Sequence, residues 1–171
     1  MACTGSYFAV TPAQLASLEA LTTAQDRADM LDEMYSEDTC LDLDKSWSGM
    51  HRCLATIPPN GKEYVTAEDT ETFGTYPLKL AIMGGRDFNI DHDASWIVCV
   101  IDQEHVAPLA TAMAAIDEAD FSERYAKYCR DVFPEFGEED REYTWAYFTE
   151  ARDYLQKLAG AGKAVVFLAD Q

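Results

Sequence analysis

The sequence predicts a helix-rich α+β fold with a small mixed β-sheet, carried by a single domain over residues 1–171. Three observations lead there. Apolar runs near the two ends, Ser6–Val10 and Ala164–Leu168, and a third at Ser95–Ile101 have strand character. Between them lie several segments with apolar residues at helical spacing and recognisable start signals. A length of 171 residues with 48% apolar composition suits one packed core and excludes a disordered chain.

The elements follow in order. Ser6–Val10 runs into Thr11-Pro12-Ala13-Gln14, where Thr11 can cap a helix, Pro12 fits its first position and Gln14 can reach back to the cap. Val10 and Leu15 are spaced as a hydrophobic staple, and Leu15, Leu18 and Leu21 share one face. A second helix is expected over Gln25–Tyr35 with Ala28, Leu31 and Met34 inward. Asp44 can cap a third, carrying Trp47, Met50, Cys53, Leu54 and Ile57, which Pro58-Pro59-Asn60-Gly61 stops. Lys62–Thr75 is polar and without sustained period, so a loop insertion is expected at about 58–76. Pro77–Met83 reads as a helical turn or two closed by Gly84-Gly85.

Ser95–Ile101 is β-branched, aromatic and nearly uncharged, which predicts a strand covered on both faces. Asp102 is placed to cap the next helix, in which Pro108 predicts a kink or a later start. Asp117 opens a helix to about Cys129. A long last helix, Glu138 to about Ala159, has an acidic first turn matched to the helix dipole and ends at Gly160 and Gly162. Its core stripe is Thr144, Phe148, Ala151, Leu155 and Leu158, flanked by Tyr143, Tyr147 and Tyr154.

Charge sets this chain apart. Against 31 acidic residues stand 13 Lys and Arg, a formal net charge of −18. Asp26–Asp44 alone holds eight acids and one base, Arg27, and Asp117–Asp153 holds twelve acids and five bases. Such an excess either is a solvated surface or captures a basic partner. Direct nucleic-acid binding is disfavoured, because phosphate contacts need a clustered basic face. No secretory apolar region follows Met1 and no apolar run reaches membrane-spanning length. Five cysteines without C-x-x-C spacing fit reduced thiols in a cytoplasmic protein and give no zinc or disulfide framework.

Several segments, in this order, resemble the YfbM-like bacterial family. They are the opening Gly5-Ser-Tyr-Phe-Ala-Val, the run Leu41–His51 with its Asp-Lys-x-Trp-x-x-x-His string, Pro77–Gly85, and the long last helix with its Gly-rich turn and closing strand. The chain departs from that pattern between Pro58 and Tyr76, around Asp91-His92-Asp93 and at Pro108. The resemblance implies a cytoplasmic α+β domain of unknown function without accepted catalytic residues.

Few constellations could carry chemistry. Asp44, Trp47 and His51 share a helical face, and with Trp96 could line a pocket in which His51 exchanges protons. The competing reading makes Trp47 a core anchor, Asp44 a cap and His51 a packed residue; nucleophile, metal ligand and oxyanion donor are missing from the segment. Asp91-His92-Asp93 has metal-ligand chemistry, but neighbours in a loop rarely aim at one ion, and a solvated acidic turn is the simpler account. Gly84-Gly85-Arg86 lacks any phosphate-loop pattern. The stripe Tyr143, Tyr147, Tyr154 is either core-rim packing or a partner surface.

The balance favours a non-catalytic acidic interaction module without cofactor or metal. It would be immunity- or inhibitor-like, a monomer or small homo-oligomer, with a basic protein as partner. A small-molecule-binding protein or enzyme with its pocket at Asp44, Trp47, His51 and Trp96 is the alternative.

Overall fold

The computed structural model describes residues 3–36, 38–59, 65–88, 96–132 and 137–170. Five strands form one sheet: β1 (Gly5–Val10), β2 (Cys40–Asp44), β3 (Arg86–Asp87), β4 (Trp96–Ile101) and β5 (Ala164–Asp170). Their order is β2-β1-β5-β4-β3, and every pairing is antiparallel, where a mixed sheet was expected. The closing strand is thus central. The α+β class holds.

Register explains the two cores. Tyr7, Phe167 and Cys99 stand in one row across β1, β5 and β4, and Phe8, Val166 and Val100 in the next. Side chains of successive residues point to opposite faces. The first row therefore joins the larger cluster, with Trp47, Met50, Phe121 and Phe148, and the second joins Leu18, Ala28, Leu31 and Phe88. Both faces of β4 and β5 are covered, which is why their sequences are continuously apolar.

One face carries α1 (Pro12–Ala20) and α2 (Ala24–Glu33); the other carries α3 (Ser46–Ala55), α5 (Gln103–Ala114), α6 (Glu118–Tyr128) and α7 (Gly137–Leu158). The start signals of α1 and α6 work as expected. Thr11 and Gln14 form a complete capping box, and Asp117 accepts from the Asp120 amide at 2.9 Å.

Three expectations need correction. Residues 40–44 form an edge strand, and Asp44 ends it instead of capping α3; the cap position is Lys45, whose side chain makes no cap bond. The expected loop insertion contains α4 (Ala67–Phe73), started by a capping box between Thr66 and Asp69, a signal hidden by the acidity of the segment. Its residues 60–64 lie outside the described positions. Asp102 stands at the start of α5 without capping it, because Arg86 takes its carboxylate at 2.7–3.1 Å. The helix starts at Gln103 and continues through Pro108.

Gly84 and Gly85 do more than stop the 3₁₀ turn Leu78–Ala81. A Cβ at Gly84 would sit 2.0 Å from the Lys79 carbonyl oxygen, and one at Gly85 2.2 Å from that of Val100. Glycine is needed there because backbone lies against backbone. No helix among the described residues is long and apolar enough to cross a membrane.

Candidate functional site

Of the predicted Asp44–Trp47–His51 face, only Trp47 and His51 lie on α3, a helix in which all ten residues are buried, while Asp44 ends β2. Asp44 adopts a left-handed conformation (φ 46°), accessible to Asp at modest cost, and its amide donates to Asp42 Oδ1 at 2.7 Å. Its carboxylate accepts from the Tyr143 hydroxyl at 2.8 Å, and that hydroxyl in turn accepts from the Lys45 amide at 3.2 Å. The group thereby latches α7 to the β2–α3 turn. Trp47 packs on Phe167 with ring centres 5.5 Å apart, and its indole N–H donates to the Cys3 carbonyl at 3.2 Å.

His51 is fully enclosed. Its Nε2 lies 2.8 Å from Thr70 Oγ1, and that hydroxyl already donates to the Thr66 carbonyl at 3.1 Å. Thr70 must therefore accept, which places the imidazole proton on Nε2 and leaves Nδ1 as a bare lone pair without a partner. Burial, and then the adjacent Arg52 charge, push the imidazole down to about 3. The ring is neutral at physiological pH and has no water-facing side through which to exchange protons.

Trp96 is not beside it. Strand alternation sends Trp96 to the α1–α2 face of the sheet, where its indole N–H donates to Gln25 Oε1 at 3.0 Å. The sheet separates the two tryptophans, so the four residues do not line one cavity. A cavity of about 310 Å³ lies instead between α6 and α7, bordered by Ser122, Tyr125, Arg130, Glu138 and Arg141 among others. Its polar groups largely bond one another: Arg141 reaches Glu138 and Ser122, and the Tyr125 hydroxyl donates to Asp140.

The tyrosine stripe is half-buried against β1 and β2. Tyr143 and Tyr147 meet edge to face at 5.0 Å, and Tyr154 stacks on Tyr7 and donates to the Thr39 carbonyl at 2.7 Å. Burial raises all three phenols, helped for Tyr143 by its bond to the Asp44 carboxylate. Arg86, beside the glycine pair, is held by Asp102 and Glu19. Asp91-His92-Asp93 lies outside the described residues, and no cluster of three metal-ligating side chains occurs among the described ones.

The arrangement that sequence reading missed is on α2. Arg27, the one base of the acidic run, points inward and is 1% exposed. Its Nε donates to the Leu18 carbonyl at 3.1 Å, its two terminal nitrogens to the Leu21 and Phe88 carbonyls, and the guanidinium stacks on Phe88 at 5.0 Å. Leu18 and Leu21 supply the last carbonyls of α1, so a cation from α2 closes the negative end of that helix. The signal was present: Ala24, Arg27, Ala28 and Leu31 are spaced on one face, which puts Arg27 in the apolar stripe.

With Arg27 turned in, the outward face of α2 and the turn after it holds Asp26, Asp29, Asp32, Glu33 and Asp38, all exposed. Among the described residues none of these forms an ion pair; Asp29 accepts only from Gln25, at 2.7 Å. Tyr35, 61% exposed, lies between Glu33 and Asp38 in the chain and is the most exposed large hydrophobic residue described.

No curated protein matches the chain in sequence. The fold is similar to the crystal structure of YfbM from Escherichia coli, a protein of unknown function. The TM-score is 0.66 at 12% identity, over 97% of this chain and 99% of that one. A family model for a domain of unknown function, DUF1877, matches residues 1–168, and the chain belongs to that family.

Proposed function

We propose that the chain is a non-catalytic binding module that captures a basic protein, in the manner of an immunity or inhibitor protein, through the outer face of α2. One observation carries this reading. The only cation of the acidic run is turned inside the fold, so Asp26, Asp29, Asp32, Glu33 and Asp38, on the same stretch of chain as the exposed Tyr35, are exposed and form no ion pair among the described residues. An exposed aromatic side chain in an acidic stretch is suited to a surface bearing Lys or Arg, which would supply the missing counter-charges and stack on the ring. The net charge of −18 would steer such a partner from a distance and repel phosphate backbones.

The test compares the native chain with two variants as immobilised bait. One carries Asp26→Asn, Asp29→Asn, Asp32→Asn and Glu33→Gln; the other carries Tyr35→Ala. The expected result is a basic protein retained at low salt by the native chain, released at high salt, and lost or weakened at least tenfold in both variants. Retention of the same proteins by all three baits would overturn the reading.

A further inference from the structure

The helical layer on the other face of the sheet holds two cysteines in contact, and the docking surface makes no use of them. Cys53 lies in the last turn of α3, and Cys129 closes α6; both are fully buried free thiols. Their sulfurs are 3.5 Å apart. Backbone geometry imposes the approach. Cys129 Sγ donates to the Gly49 carbonyl at 3.4 Å, and Gly49 lies four residues before Cys53, so the same carbonyl is the helical acceptor for the Cys53 amide. A shared acceptor thus seats the Cys129 sulfur over the turn that carries Cys53. Two of the other cysteines, Cys3 and Cys99, direct their thiols at backbone carbonyls.

We infer that Cys53 and Cys129 are a site of oxidative modification, at which a peroxide converts the two thiols into a disulfide joining α3 to α6. The sulfur of one cysteine, deprotonated, attacks a peroxide oxygen. The O–O bond breaks, and the products are a sulfenic acid and hydroxide, which takes up the released proton as water. The second thiol then attacks the sulfenic sulfur; an S–S bond forms, the S–O bond breaks, and hydroxide leaves as water with that thiol's proton. Two sulfurs lose one electron each, and the peroxide gains both.

The sulfurs must close from 3.5 Å to about 2.0 Å, a change within reach of side-chain rotation and a small helix shift. Access sets the rate. Neither sulfur meets solvent, and burial holds the Cys53 thiol well above its ordinary value, opposed by the charge of Arg124, whose Nη1 lies 3.5 Å from the Cys53 carbonyl oxygen. Oxidation therefore proceeds through local opening, and Cys129 is positioned for it, at the end of α6 where the chain turns away.

The experiment exposes the folded native chain to hydrogen peroxide, blocks remaining thiols with iodoacetamide, digests without reduction and maps the products by mass spectrometry. The expected outcome is a Cys53 peptide linked to a Cys129 peptide as the main crosslink. The crosslinked chain should melt several degrees above the reduced one, because a 76-residue separation is closed in the unfolded state. Subdenaturing urea should speed the reaction. Recovery of Cys53 and Cys129 as separate alkylated or overoxidised peptides, or linked chiefly to Cys3, Cys40 or Cys99, would sink the inference. So would a crosslinked form melting no higher than the reduced one. Cys129→Ser should abolish the linked peptide while Cys53 stays alkylatable after unfolding; a Cys53 crosslink persisting in that variant also counts against the site.

Discussion

His51 shows how a residue of apparent catalytic type is used for packing. It was legible from sequence as part of an α3 face, but its environment was not, because Thr70 comes from α4, nineteen residues on. Its titration has a measurable consequence. The imidazole is near 3 in the folded chain against 6.5 when exposed, so the unfolded state binds a proton that the folded state refuses. Stability from this group is complete above pH 6.5 and is lost as pH falls below it. Between pH 7.5 and pH 5 the loss should come to about 2 kcal/mol, at about 1.4 kcal/mol per unit in the steep part. Urea unfolding at several pH values checks this, with His51→Leu as the comparison. The variant should show a shallower acid slope, and equal slopes in the two chains would refute the assignment.

At the scale of elements, Arg27 joins three pieces of chain: the end of α1, the body of α2 and Phe88 after β3. Charge-assisted bonds to buried carbonyls are strong, and leaving those carbonyls unpaired costs more than the bonds contribute. Arg27→Leu should lower unfolding stability by roughly 3 kcal/mol, and chemical denaturation would register it. A change under about 0.5 kcal/mol, the range of a surface substitution, would mean that the guanidinium is not holding α1. Elements with a local signature were legible: the capping box of α1, the Asp117 cap of α6, and the apolar runs of β4 and β5. Those with polar composition were not. The strand β2 (Cys-Leu-Asp-Leu-Asp) is an edge strand half open to water, and its pairing with β1 decides its conformation.

For the whole molecule the dominant fact is unbalanced charge. A chain of −18 repels itself most when compact, and salt weakens that repulsion. Raising NaCl from about 0.01 M to about 1 M shortens the screening length from about 30 Å to about 3 Å. The melting temperature should rise by a few degrees over this range, measured by circular dichroism. A fall would show that attractive ion pairs such as Arg86–Asp102 outweigh the repulsion. By itself the sequence determined the class of fold, the bounds of most helices, the three interior strands and the acid excess, because each rests on periodicity, caps or composition read within one segment. The tertiary structure alone decided which side chains meet. The antiparallel order placed Trp47 and Trp96 on opposite faces of the sheet, drew His51 to Thr70 and Cys53 to Cys129, and turned Arg27 inward so that the acids of α2 face solvent alone. Those relations depend on contacts between residues far apart in the chain, and no local pattern encodes them.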